Sequence, residues 1–563
     1  MCPGSEGGGI LAADPSSECQ LTSRSTETVN RFTVVLLLFV LALGIFVRVW
    51  KLDSWPPLYG DEATPGVGAM RVLAHGASHA QSHRVYLSSL YVLTQVPFVA
   101  LPGNTIIALR LSSLVYGLLT ILAAYFTARR LWGPRAGLMA AAAAAILPLS
   151  VVMGGRIAWE PALAFPIVAW ALYFSVLAWQ QRSVVAAIVC GALLTLGTYA
   201  HPAAGLAVSG LMVGTLATGR VRAHLRQGAV VLLVFAALSF PSITLMRQLA
   251  AGGSTNTRIF THALPEMDKQ RHIATFSPTA IGTNLFRSLD HCTGAVTAQH
   301  LLGSLQGPWS RPIKLLRAAC VGLWLFILIV AFCKGTAGRA MVGYLAGLFA
   351  AAHVGNPAFI FLPEKGRYIL AVAPVIPLLV TYTMQYDGAL LTRLARPAIF
   401  TIFAMWIGVA AVMLSFIHRD ITGTVWTMTT SVGDPNKAAA AYFTRHADTK
   451  SDLVLCSWWH YWPLAYYSSE TLPVFTSDLV IFENEDVVLP ESTSKRKVWW
   501  IGSGDIEPPP FAADLVSLWP ASGAAGRCYT IWLAREPETA IKWAVDDYLK
   551  RLAQREERLR MDN

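Results

Sequence analysis

The sequence predicts a polytopic α-helical membrane protein of about 11 spans that ends in a small extracytoplasmic α/β domain. Three observations predict it. Of 563 residues, 54% are hydrophobic and only 14% charged, against roughly 25% charged in soluble globular proteins. The mean hydropathy is +0.48. Apolar runs approaching the ~20 residues of a bilayer crossing recur between residues 32 and 416, and the pattern then changes to short strand-like segments.

Residues 1–30, rich in Gly, Ser, Thr and Glu, carry no helix pattern and read as a disordered cytoplasmic tail without a removable signal peptide. The expected spans are 32–50, 106–127, 137–153, 162–179, 184–200, 202–218, 228–246, 315–333, 340–355, 368–385 and 397–416. Basic residues mark every second loop: Arg129, Arg130 and Arg135, then Arg182, then Arg220, Arg222 and Arg226, then Lys334 and Arg339, then Arg393 and Arg396. The positive-inside rule therefore puts the N-terminus in the cytoplasm and the C-terminus outside. The formal charge of +11 is largely this loop charge, and no aromatic-interleaved basic groove of the nucleic-acid kind is present.

Residues 85–101 are apolar but short, and Gln95 and Pro97 interrupt them. A crossing there would place every later basic loop outside, so this run is expected to lie in the outer interface. With a second short helix at 66–76, it makes residues 51–105 a platform at the outer face of a transmembrane region spanning 31–416. Residues 417–535 read as the α/β domain, with a helix at 436–447 and strands near 453–457, 472–476, 497–503 and 527–533. Residues 536–563 read as a charged amphipathic helix. None of the eight cysteines forms a CxxC pair. Cys456 and Cys528 are the two able to pair in an extracytoplasmic domain.

The outer face gathers the residues that carry chemistry. Leu58-Tyr59-Gly60-Asp61-Glu62-Ala63 places two carboxylates just outside the first span, where charge is costly unless it serves a site or meets water. The short loop at 154–161 holds Arg156 and Glu160, and the loop at 356–367 holds Lys365 and Arg367. A carboxylate can take a proton from an attacking hydroxyl, and cations can neutralise a departing phosphate. Plainer roles exist for each. Asp61 can cap a helix, Glu160 can pair with Arg156 four residues earlier, and Lys365 and Arg367 can anchor at lipid head groups. Arg110 reads as a snorkelling anchor, His201 as a satisfied polar residue, and Trp458–Trp462 as packing of the domain.

At these residues the chain resembles the membrane glycosyltransferases of the GT-C fold, and among them the protein O-mannosyltransferase and lipid A aminoarabinose transferase group. The resemblance runs over roughly 32–535. Its marks are the Asp-Glu pair with Gly76 beyond it, Arg110 opening a span that closes in Arg129-Arg130-Leu131-Trp132-Gly133, Pro148 leading to Arg156-Ile157-Ala158-Trp159-Glu160, and Arg367-Tyr368 with Pro374. His83-Arg84-Val85-Tyr86 departs from the His-Pro-Pro-Leu of many members.

The resemblance implies an inverting hexosyl- or pentosyltransferase of the plasma or inner membrane. Its donor would be a polyprenyl-phosphate monosaccharide, and its acceptor a glycan, lipid or protein at the outer face. Asp61 would be the base, with Glu62 beside it and Glu160 as the second acid. Lys365, Arg367 and Arg156 would bind the donor phosphate. The single acid of the second loop, in place of Asp-x-Asp, argues against a divalent metal. The alternative is a transporter or flippase of lipid-linked sugars, against which stand the lack of an internal repeat and the clustering of acids at one face.

Overall fold

A computed structural model describes residues 31–53, 58, 60–77, 89–102, 106–152, 154–251, 278–293, 310–355, 373–385, 390–419, 435–476, 497–503, 509–519 and 529–561. Lys365, Arg367 and Cys528 lie outside the described residues.

The membrane region opens with α1 (Arg31–Val49), α2 (Gly60–His75), α3 (Ser89–Val99), α4 (Ile106–Trp132), α5 (Pro134–Ile146) and α6 (Pro148–Val152). It continues through α7 (Glu160–Gln181), α8 (Val184–Ala200), α9 (Leu206–Ala217), α10 (Val221–Ala251), α11 (Pro278–Thr293), α12 (Ser310–Lys334), α13 (Thr336–Gly355), α14 (Val375–Met384) and α15 (Leu390–Arg419). Among the described residues, six helices are long and apolar enough to cross a membrane: α1, α4, α7, and parts of α10, α12 and α15. The remaining expected crossings fall on α5, α8, α9, α13 and α14.

Two local differences from the sequence reading have plain causes. The helix expected at 137–153 breaks after Ile146 into α5 and α6. Pro148 excludes the α conformation from the residue before it, and Leu147 is extended at φ −55°, ψ 116°. The platform helix α2 begins at Gly60, six residues before the expected start, so Asp61 is inside its first turn. Elsewhere small residues let helices close up. An added Cβ at Gly214 of α9 would lie 2.7 Å from the Ala340 carbonyl oxygen of α13, and one at Gly347 of α13 2.5 Å from that of Ser209. Close backbone approach of this kind is how helices pack where lipid offers no hydrophobic drive.

The C-terminal part comprises α16 (Pro435–His446), β1 (Asp452–Cys456), α17 (Trp458–Tyr467), β2 (Val474–Phe475), β3 (Lys497–Ser503), β4 (Ala512–Trp519), β5 (Tyr529–Ala534) and α18 (Pro537–Met561). The sheet order is β2-β1-β3-β5-β4. β1 runs parallel to β2 and β3, while β5 is antiparallel to β3 and β4. Alternate residues of β1 serve two cores. Val454 and Cys456 face α16 and α17, while Leu453 and Leu455 face Ala540, Ile541, Ala544 and Tyr548 of α18. The sequence reading missed β4. Cys456 is a buried free thiol whose pKa burial pushes up.

Candidate active site

Glu62, the third residue of α2, is fully buried and accepts three hydrogen bonds from two residues. Arg110 of α4 donates from Nε to Oε1 and from Nη2 to Oε2, each at 2.7 Å. The backbone N–H of Ala158 donates to Oε1 at 2.9 Å. Arg110 also donates from Nη1 to the Leu52 carbonyl at 2.9 Å. Arg110 is therefore no snorkelling anchor: it has no exposure, and it joins α4, α2 and the turns at 51–53 and 154–159 through one carboxylate. Asp61 is the residue before this anchor.

Arg156 is also fully buried. Its Nη1 donates to the Val47 carbonyl at 2.9 Å, and its Nη2 to those of Trp50 at 2.7 Å and Lys51 at 3.4 Å. It thus satisfies carbonyls at the C-terminal end of α1 that lack helical partners. Burial pushes its guanidinium down to about 9, with Arg110 and Arg48 adding to the effect and Asp53 opposing it. Arg48, which the sequence reading passed over, is buried with it. It donates to the carbonyls of Gly44 and Ala145 at 3.0 Å, to that of Ala144 at 3.4 Å, and to Ser150 Oγ at 3.0 Å. Its signal in the sequence is a lone charge inside an apolar run.

Glu160 is the first residue of α7 and is 5% exposed. A carboxylate is favoured at a helix N-terminus, where unpaired N–H groups and the dipole are positive. Tyr91 of α3 lies in the same region. Burial holds its hydroxyl well above the usual tyrosine range, with Tyr116, Glu160 and Glu62 adding to it. One turn along α3, Gln95 is fully buried and neither of its amide atoms has a hydrogen-bond partner among the described residues. The site therefore holds two buried carboxylates, the Asp61 backbone position, three buried guanidiniums and an unsatisfied amide. No group of three His, Cys, Asp or Glu able to hold a metal occurs among the described residues.

The C-terminal domain grips the same helix from the other side. Trp462, Ala465 and Tyr466 of α17 pack on Leu58, Ala63 and Val67. Gly66 admits this approach, since a Cβ there would lie 2.7 Å from Cε2 of Tyr466. Asn436 Nδ2 donates to the Leu58 carbonyl at 3.0 Å, and its Oδ1 is 3.2 Å from Nδ1 of buried His460. Arg71 meets Glu470 through Nε at 3.0 and 3.1 Å and through Nη2 at 2.7 Å. Of the aromatic run, Tyr461 and Trp462 pack the domain against this helix. His201 caps the 3₁₀ turn Pro202–Gly205, accepting at Nδ1 from the Ala203 N–H at 3.2 Å.

Residues 90–246 match the family model described as dolichyl-phosphate-mannose-protein mannosyltransferase. The fold is similar to the crystal structure of ArnT from Cupriavidus metallidurans in the apo state, with a TM-score of 0.54 at 14% identity, covering 88% of this chain and 97% of that one. The same protein bound to undecaprenyl phosphate gives a TM-score of 0.46 at 17% identity, over 90% and 98% of the two chains. An Archaeoglobus fulgidus oligosaccharyltransferase in complex with Zn and sulfate gives 0.45 at 12% identity, over 78% and 62%. No curated protein matches the chain in sequence. The chain is thus an integral membrane protein of the GT-C fold, built like the glycosyltransferases of the protein O-mannosyltransferase and ArnT group.

Proposed function

We propose that the protein transfers a monosaccharide from a polyprenyl-phosphate donor to an acceptor hydroxyl or amine at the outer membrane face, with inversion. Asp61 takes the acceptor's proton as its oxygen or nitrogen attacks the anomeric carbon. The bond from that carbon to the phosphate oxygen breaks, and polyprenyl phosphate leaves with the electron pair. A single displacement from the opposite face inverts the anomeric centre. Lys365 and Arg367 neutralise the departing phosphate. Glu160 is the second acid of the site and orients the acceptor.

Glu62 and Arg156 take positioning roles in this reading. Both Glu62 oxygens are engaged, and the Arg156 Nη groups hold α1, so neither is drawn to the substrate directly. The observation that carries the reading is the anchoring of the first turns of α2, by Arg110 and Ala158 on one side and by α17 on the other. A general base must be held within a fraction of an ångström of its working geometry. The family match over 90–246 supports a lipid-phosphate sugar as donor.

The test offers labelled polyprenyl-phosphate monosaccharides to membranes carrying wild-type or Asp61→Asn protein at matched expression. Release of sugar by the wild type, with a loss of about 100- to 10,000-fold in the variant, is the expected result. Equal release by both removes Asp61 from the mechanism. Movement of intact donor across the bilayer without release identifies a transporter instead.

A further inference from the structure

The two faces of the C-terminal sheet are covered unequally. One packs on α16 and α17, and α17 packs in turn on α2. The other face is turned away from the membrane region and packs on α18. That helix touches Phe511, just before β4, through Trp543, and Phe475 of β2 through Tyr548. It therefore crosses the sheet diagonally, over Leu453, Leu455, Val498 and Ala534. Trp500 of β3 and Trp532 of β5 are direct cross-strand partners, so both rise from this same face. Both are half-buried. Trp500 packs at the margin of the α18 core, while Trp532 belongs to none of the buried clusters among the described residues. Trp500 leans along its strand over Gly502, where an added Cβ would meet Cζ2 at 3.2 Å and Nε1 at 3.3 Å. Thr530 pairs with Gly502, and its Oγ1 donates to the Gly502 carbonyl at 3.3 Å, so the oxygen keeps its lone pairs for a ligand. By alternation, β3 and β5 place no charged side chain on this face. Lys497 falls on the opposite one, with its Nζ 6.0 Å from the Trp499 ring.

From this placement we propose that Trp500 and Trp532 form a stacking platform for a neutral glycan, the polymeric acceptor of the transfer reaction. The face of an indole is electrostatically negative, and the C–H face of a pyranose ring is weakly positive, so the two stack. The indole N–H groups and Thr530 Oγ1 then meet sugar hydroxyls at the rim. Uncharged strands suit an uncharged polymer, where a phosphate-bearing chain would call for cations. A lipid surface is disfavoured by position, since α16 and α17 lie between the sheet and α2. Those two packed layers put the platform roughly 20 Å from α2. The indoles thus hold a remote segment of the acceptor chain, not the sugar that reacts. The acceptor role rests on the transfer reading above; the stacking does not.

The test titrates the full-length protein, in a detergent without a sugar head group, with a soluble mannan, a galactan and a glucan. Binding is read by calorimetry with no donor present. At least one polymer should bind the wild type, and Trp532→Ala should weaken that binding roughly tenfold or more. The thermal midpoint of that variant should stay level, because Trp532 lies outside the buried clusters. Trp532→Phe should keep most of the binding, which separates loss of the ring from loss of the fold. Failure of all three polymers to bind the wild type, or undiminished binding in Trp532→Ala, would overturn the proposal. A wild-type dimer that Trp532→Ala converts to a monomer would assign the face to a second copy of the chain and also overturn it. Either failure leaves the Asp61→Asn result standing, since no donor takes part. Binding that depends on Trp532, in a protein that releases no sugar from polyprenyl donors, would keep the platform and overturn its acceptor role.

Discussion

Arg110 and Glu62 form a two-bond ion pair, 2.7 Å at each contact, with neither side chain exposed. Taking both charges out of water is costly, so the pair adds little net stability against an apolar replacement. Its effect is on register: with the Leu52 carbonyl and the Ala158 N–H it holds four chain segments at one point beside Asp61.

Removing one partner strands the other. Glu62→Ala and Arg110→Ala should each cost about 3–5 kcal/mol, and the double variant should be destabilised by much less than the two combined. A double-mutant cycle on the thermal midpoint of the purified protein checks this. Additive losses would mean that the two side chains act independently.

His460 sets an acid limit on the C-terminal domain. Asn436 donates its Nδ2 hydrogen to Leu58, so its Oδ1 is left to accept, and His460 carries its proton on Nδ1. Burial holds the imidazole pKa down to about 4, while the unfolded chain has about 6.5. Between those values the unfolded state binds a proton that the folded state refuses, so stability falls as pH drops from 6.5 towards 4. The full loss is about 3 kcal/mol. His460→Gln should flatten this acid slope in thermal midpoints taken from pH 7 to pH 4.5. An unchanged slope would place its origin elsewhere.

Substitution of Gln95 tests whether its buried amide serves the substrate or only fills space. An unpartnered buried amide costs about 1–3 kcal/mol, so an apolar residue of similar shape should be tolerated. Gln95→Met is expected to keep or raise the thermal midpoint and to lower kcat/KM roughly tenfold, through lost hydrogen bonds to sugar hydroxyls. Full activity in a stable variant would show that the amide never meets the sugar.

The sequence made the membrane class and the α/β tail legible, because apolar runs and strand signals are local features. The partner of Glu62 was not legible. Arg110 lies 48 residues away, and a basic residue opening a span looks the same whether it faces lipid head groups or a carboxylate. The capping work of Arg156 was hidden likewise, since its acceptors are backbone carbonyls that no side-chain pattern marks. β4 escaped for a different reason: its strand pairing with β5 carries two register shifts, which blur the period-two pattern.

Gly155 tests whether Arg48 is held by shape as well as by hydrogen bonds. A Cβ there would lie 2.4 Å from Arg48 Nε and 2.6 Å from its Cδ, and a Cβ at Gly117 would reach Nε at 2.7 Å. The two glycines thus leave room for the arginine stem, while its guanidinium joins α1 to the end of α5 and to Ser150 of α6. A methyl group must push the stem aside and loosen those bonds. Overpacking alone costs about 1–3 kcal/mol, so Gly155→Ala should lower the thermal midpoint clearly. Combining it with Arg48→Met should cost less than the two changes separately, because the clash needs both side chains. Gly228→Ala is the matched control. Nothing lies within 4 Å of its added Cβ, and helix propensity favours alanine there by about 1 kcal/mol, so its midpoint should stay level or rise. Equal loss at Gly155 and Gly228 would mean that glycine-to-alanine changes destabilise this protein regardless of Arg48.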